Sequence, residues 1–265
     1  MNDKIKPEVV AIEKSSKRLA DIISRTVPPL VGLIVAGPIG GIAGGIAGSI
    51  LKYGLEDFFE KYLTPKEVKR VGTSAEYIIS EINKNLKSGL QINQAIFESE
   101  EGYRSEAEEL FEGVLLKCKN EYQEKKLKHI SYIFVSVSFD STISTDDANQ
   151  MLNISEGLTF RQFCLLSLIG KNDNNKFSLR SDATKGYLFD KTMEYQSIIM
   201  DLWTLTNLGL IRRKDNLGLG NINDFAFPNC LPAQLKLWPL GERIFKSMNL
   251  NEIENSNFTF IDILK

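Results

Sequence analysis

The sequence predicts a mainly α protein. Three observations carry that expectation: helix-capping patterns recur along the chain, the apolar residues between them repeat at three- and four-residue spacing, and one charge-free stretch near the amino terminus carries a stripe of glycines. The expected layout is an amphipathic helix plus a glycine-striped apolar helix over 1–52, a helical body over 53–158, a small module over 159–250 and a tail over 251–265.

The amino terminus comes first. Val9, Ile12, Leu19, Ile22 and Ile23 fall at helical spacing among Lys14, Lys17, Arg18 and Arg25, which predicts an amphipathic helix ended by Pro28 and Pro29. The segment mixes acids and bases ahead of any apolar run, so it does not read as a secretory signal. A cytosolic location is therefore expected, with association at the inner membrane left open by the apolar stretch beyond Thr26.

From Thr26 to Leu51 no side chain is charged. On a helix advancing about 100° per residue, Gly37, Gly40, Gly41, Gly44, Gly45 and Gly48 share one arc of roughly 140°, and Ile39, Ile42, Ile46 and Ile50 lie opposite. Two interleaved GxxxG series resemble the glycine zippers of membrane-inserting and pore-forming helices. Six interior glycines disfavour a helix by roughly 6 kcal/mol relative to alanine, so packing or a bilayer must compensate. Leu30 to Leu51 would span about 33 Å as a continuous helix, just over the hydrocarbon thickness, whereas a helix starting at Pro38 would be only about 21 Å long. Three readings stay open: a buried bundle or hairpin helix, a membrane-entering segment, or an apolar loop.

Thr64, Pro65 and Glu67 set an N-cap, a proline at the first helical position and a capping-box acid, predicting a helix from Pro65 to about Lys87 stopped by Gly89. Ser105 and Glu108 repeat the pattern, and Leu110, Phe111, Val114, Leu115, Cys118 and Tyr122 carry it on as a long helix. Over 127–139 a strand-like alternation competes with a helical period, and helix is favoured. Ser144 to Asp147 starts a short helix, and Thr159 with Gln162 caps FRQFCLLSLIG. Residues 171–186 read as polar loop. A helix is expected from Met193 to Leu208, ended by Gly209. LIRRKDN gives a short strand, a long loop runs to Ala233, Leu235 to Trp238 returns as a strand, and PLGERIFKSM closes as a helix.

Helix FRQFCLLSLIG, helix MEYQSIIMDLWTLTNLGLI, the RRK turn, strand LKLW and helix PLGERIF together resemble a winged-helix module. Leu208-Gly209-Leu210-Ile211 leads to Arg212 and Arg213 at the wing, and Leu237, Leu240 and Gly241 take the place of the usual closing turn. The resemblance implies DNA binding, with a helix in the major groove and the wing on the backbone. The residues of that helix point elsewhere: it offers Glu194, Gln196, Asp201, Thr204 and Asn207, with Lys191 only at its start, and phosphate neutralisation needs Lys and Arg. Arg212, Arg213 and Lys214 are the candidate nucleic-acid contacts, read first as an ordinary solvated strand end. A protein-interaction or dimerisation role is favoured.

Composition narrows function further. With 32 basic and 34 acidic residues and a formal net charge of -2, the 265-residue chain has no global field for holding nucleic acid or an acidic surface. Cys118, Cys164 and Cys230 are odd in number, widely spaced and without metal-ligand spacing, so they read as reduced core thiols. Abundant Lys, Asn and Ile are compatible with a low-GC bacterium.

His129, the single histidine, reads as a surface or boundary residue. Glu108, Glu109, Asp146 and Asp147 suit helix starts, and KNEYQEKKLK reads as a solvated charged face. No nucleotide-binding, P-loop or HExxH motif is present. No catalytic residues, metal or cofactor are therefore expected.

The sequence thus suggests a non-enzymatic interaction or effector protein, self-associating or membrane-inserting through the glycine zipper, with a protein partner at the C-terminal module and a bacterial toxin-like or phage-defence setting. The alternative is a soluble winged-helix DNA-binding regulator whose glycine stripe is buried in a helical core or dimer.

Overall fold

The computed structural model describes residues 64–98, 103, 105–181, 192–214 and 231–265. The amphipathic start and the glycine-striped segment lie outside the described residues, as do Lys191 and Cys230. The chain divides into two compact units, one through Gly157 and one from Leu158.

The described part of the first unit holds four α-helices: α1 (Pro65–Lys87), α2 (Glu106–Asn120), α3 (Leu127–Phe139) and α4 (Thr145–Gly157). Local chemistry sets most of their ends. Thr64 accepts from the Glu67 amide while the Glu67 carboxylate accepts from the Thr64 amide at 2.6 Å, and Ser105 and Glu108 repeat the exchange at α2. These bonds to its ionised form hold the Glu67 carboxyl below its ordinary pKa, the Thr64 backbone amide contributing most. Gly89 adopts a left-handed φ of 87°, which lets the Gly89 and Leu90 amides close back onto Leu86 and Asn85.

Helices α1, α2 and α3 pack against one another, and α4 lies on α2 and α3. Val71, Ala75, Ile78 and Ile82 form the buried stripe of α1, with Leu110, Phe111, Val114 and Leu115 facing inward from α2. Nearly every position of α3 is buried. A helix enclosed on all sides needs apolar residues all round, which is why its sequence satisfies a strand-like alternation and a helical period at once.

Three sequence expectations are corrected by this unit. Helix α2 ends at Asn120 instead of running through Tyr122, because Glu121 turns to an extended conformation and leaves Tyr122 exposed. Within the stretch read as a solvated charged face, Glu121 and Lys126 are buried and form an ion pair. The Lys126 ammonium also donates to the Glu156 carbonyl at 3.2 Å, so the pair is hydrogen-bonded as well as charge-matched. His129, expected at the surface or a boundary, is likewise buried, on the enclosed helix α3.

The second unit contains α5 (Phe160–Gly170), α6 (Met193–Asn207), β1 (Ile211–Arg213), β2 (Leu235–Leu237), α7 (Pro239–Ser247) and α8 (Ile261–Leu264). The strands pair antiparallel, Ile211 with Leu237, Arg212 with Lys236 and Arg213 with Leu235. Residues 251–265, set apart by sequence as a tail, are packed into this unit: Ile253, Phe258, Phe260 and Leu264 are buried. Ser167 on α5 donates to the Leu250 carbonyl at 2.7 Å, and the Lys171 ammonium donates to the Asn251 and Ile253 carbonyls at 3.1 and 2.6 Å.

Candidate interaction surface of the C-terminal unit

Gln162 belongs to two structures at once. Its side-chain carbonyl accepts from the Thr159 amide at 2.8 Å, completing the α5 capping box, and its amide donates to Asp201 of α6 at 3.0 Å. Arg161 donates to the other Asp201 oxygen and to the Ser197 hydroxyl. Asp201 is thereby buried and turned toward α5, so it is unavailable as a surface acid on α6.

The outward face of α6 is then set by what remains. Met193 is 85% exposed and Met200 55% exposed, and Glu194, Gln196 and Asn207 are also exposed. Thr204 bonds back to the Met200 carbonyl at 2.9 Å. The helix contains no Lys, Arg or His, so its surface is apolar and weakly acidic.

The three cations singled out by sequence all sit at β1 and the turn after it. Each has a partner within the hairpin. The Arg212 guanidinium lies 3.0 Å from the centroid of the Trp238 ring, a close cation–π stack. Arg213 donates to the Gln234 side chain at 3.1 Å. Lys214 donates from its amide to the Gln234 carbonyl at 2.8 Å and from its ammonium to the Ala233 carbonyl at 3.0 Å. These side chains tie the two ends of the hairpin together. Sequence reasoning missed Trp238 as a partner because the contact depends on the register of two strands joined by a long connection, which local pattern does not encode.

The glycine set, Gly37, Gly40, Gly41, Gly44, Gly45 and Gly48, lies outside the described residues. Cys118 and Cys164 are buried free thiols. Burial pushes the Cys118 thiol up to about 11 against weaker lowering by the neighbouring Ser74 and Ser131 hydroxyls, of which Ser131 lies within hydrogen-bonding reach of the sulfur at 4.0 Å. Such a thiol is largely un-ionised at neutral pH and a poor nucleophile. Among the described residues no group of three or more His, Cys, Asp or Glu side chains is arranged to hold a metal ion, and no helix is long and apolar enough to cross a membrane. Compared with known proteins, the chain matches no family model, no curated protein and no solved structure.

Proposed function

We propose that the chain is a non-enzymatic effector in which the apolar segment Leu30 to Leu51 enters a membrane and self-associates through its glycine face, while the C-terminal unit receives a protein partner. The observation that carries the second half is the outward face of α6, where Met193 and Met200 stand exposed on a helix without a basic residue. Flexible thioether side chains suit an adaptable protein contact, whereas a phosphate backbone would meet no basic residue of the helix itself, and the neighbouring Arg161 is already held by Asp201 and Ser197. The first half rests on the charge-free run and its two GxxxG series.

On this reading the protein works on the cytosolic side of a bacterial inner membrane, in a toxin-like or phage-defence setting. Overexpression of the intact chain and of a Gly41→Leu/Gly45→Leu variant tests it. Loss of toxicity and of membrane fractionation in the variant is expected. Unchanged toxicity and fractionation remove the basis of the proposal.

One observation favours the alternative of a DNA-binding regulator with a winged-helix module. Arg212 and Lys236 face each other directly across the hairpin, beside Lys214, and could grip a phosphate backbone. That reading requires salt-sensitive DNA binding weakened by Arg212→Ala/Arg213→Ala. Absence of DNA binding at low salt excludes it.

A further inference from the structure

A cleft of about 430 Å³ opens within the C-terminal unit, a volume within the range of small-molecule sites. Ile169, Leu237 and Phe245 give it an apolar lining. Gly170 allows α5 to close onto that lining, since a Cβ there would lie 2.6 Å from the Phe245 ring and 2.9 Å from a Leu237 methyl group.

One wall is a loop held by its own asparagines. Asn174 and Asn175 take left-handed φ values of 51° and 52°, a conformation asparagine tolerates better than most residues. The Asn175 side chain accepts from the Leu179 amide at 2.9 Å and donates to the Leu179 carbonyl at 3.0 Å, while Asn172 donates to Asn175 at 3.3 Å. The wall is therefore pre-formed, and Asn172, Asp173 and Asn174 line the cleft from it.

Three lysines from separate parts of the fold also line the cleft: Lys214 after β1, Lys236 on β2 and Lys246 on α7. The Lys214 ammonium is bonded to the Ala233 carbonyl. Among the described residues Lys236 and Lys246 have no ion-pair partner. Strand register places Arg212 opposite Lys236, a like-charge pairing that is unfavourable in a sheet; the Arg212 guanidinium is taken up by the Trp238 ring, and Lys236 is left to the cleft. Asp173 and Glu242 line the cleft too, so its lining carries one net positive charge and a strongly charged ligand group is needed to compete.

We propose that this cleft binds a small phosphate ester, with Lys236 and Lys246 holding the phosphate and Ile169, Leu237 and Phe245 taking the apolar portion. A phosphate monoester carries about -1.5 to -2 charges at neutral pH, which matches two lysine ammonium groups better than a single carboxylate does. The site is independent of the proposed membrane segment.

The test is calorimetric titration of the full chain with phenyl phosphate at fixed ionic strength, with benzoate as the carboxylate control. Saturable binding is expected, weakened by about tenfold or more in Lys236→Gln/Lys246→Gln and unchanged in Lys87→Gln, with circular dichroism confirming that both variants are folded. Phosphatidic acid vesicles in parallel separate a soluble ester from a lipid headgroup. The proposal is overturned by no saturable phenyl phosphate binding, by equal binding to the double variant, by benzoate binding as tightly, or by lysine-dependent binding confined to the vesicles.

Discussion

Gly241 lies against the backbone carbonyl of Leu210, so closely that a Cβ on Gly241 would overlap the carbonyl oxygen and come within 2.8 Å of its carbon. The same oxygen accepts from the Trp238 amide at 2.9 Å. The start of α7 is thus seated directly on the approach to β1, in a space that only glycine leaves open.

Gly241→Ala should therefore destabilise the C-terminal unit by about 3 kcal/mol, because the obstacle is backbone and cannot rotate away. Gly170→Ala should have a smaller effect, since its Cβ would meet the side chains of Phe245 and Leu237. Urea denaturation of both variants checks the ranking. Equal stability of Gly241→Ala and the parent would show that this close approach does not exist in solution.

The Arg161–Asp201 pair predicts a coupling between α5 and α6. Asp201→Ala should cost about 1–3 kcal/mol, since it strands the Gln162 amide and the Arg161 guanidinium together. The figure stays modest because the Arg161 side chain is 42% exposed and water screens its share. A double-mutant cycle with Arg161→Ala should give a favourable coupling, and strict additivity would rule out the contact.

Burial of the Glu121–Lys126 pair leads to a non-additive expectation. Removing either partner leaves a buried charge and should cost about 3–5 kcal/mol, whereas Glu121→Gln/Lys126→Met together should cost less than either single change. Thermal melts of the three variants measure this. Losses that simply sum would place both side chains in solvent.

Cys118 gives the chain an alkaline limit. Its folded pKa is raised from 9.0 to about 11, chiefly by burial, so the native state holds that proton more tightly than the unfolded chain does. Its contribution is fully present below about pH 9 and is lost as pH rises toward 11. The melting temperature should fall across that window, and Cys118→Ala should fall less steeply. Matching slopes for the two proteins would contradict the assignment.

What could be read from sequence depends on the range of the interactions involved. Caps at Thr64, Ser105 and Thr159 are settled within four residues, so helix starts were legible to the residue. The central helix α3 was ambiguous because enclosure on all faces erases the amphipathic signal that separates helix from strand. Glu121 and Lys126 looked solvated because the carbonyl of Glu156, which helps hold them, arrives from α4. At the candidate surface, Arg212, Arg213 and Lys214 stand out in the sequence by their charge and by their place at the wing of the winged-helix resemblance. Their partners Trp238, Gln234 and Ala233, and the lysines of the cleft, depend on a strand register that no local pattern encodes.

Carbonate washing of the membrane pellet from cells expressing the intact chain tests most directly whether Leu30 to Leu51 enters a membrane. Retention of the protein in the washed pellet is the predicted result. Its quantitative recovery in the soluble fraction as a monomer or dimer would contradict the account, because the glycine face would then have to be covered by protein instead of lipid.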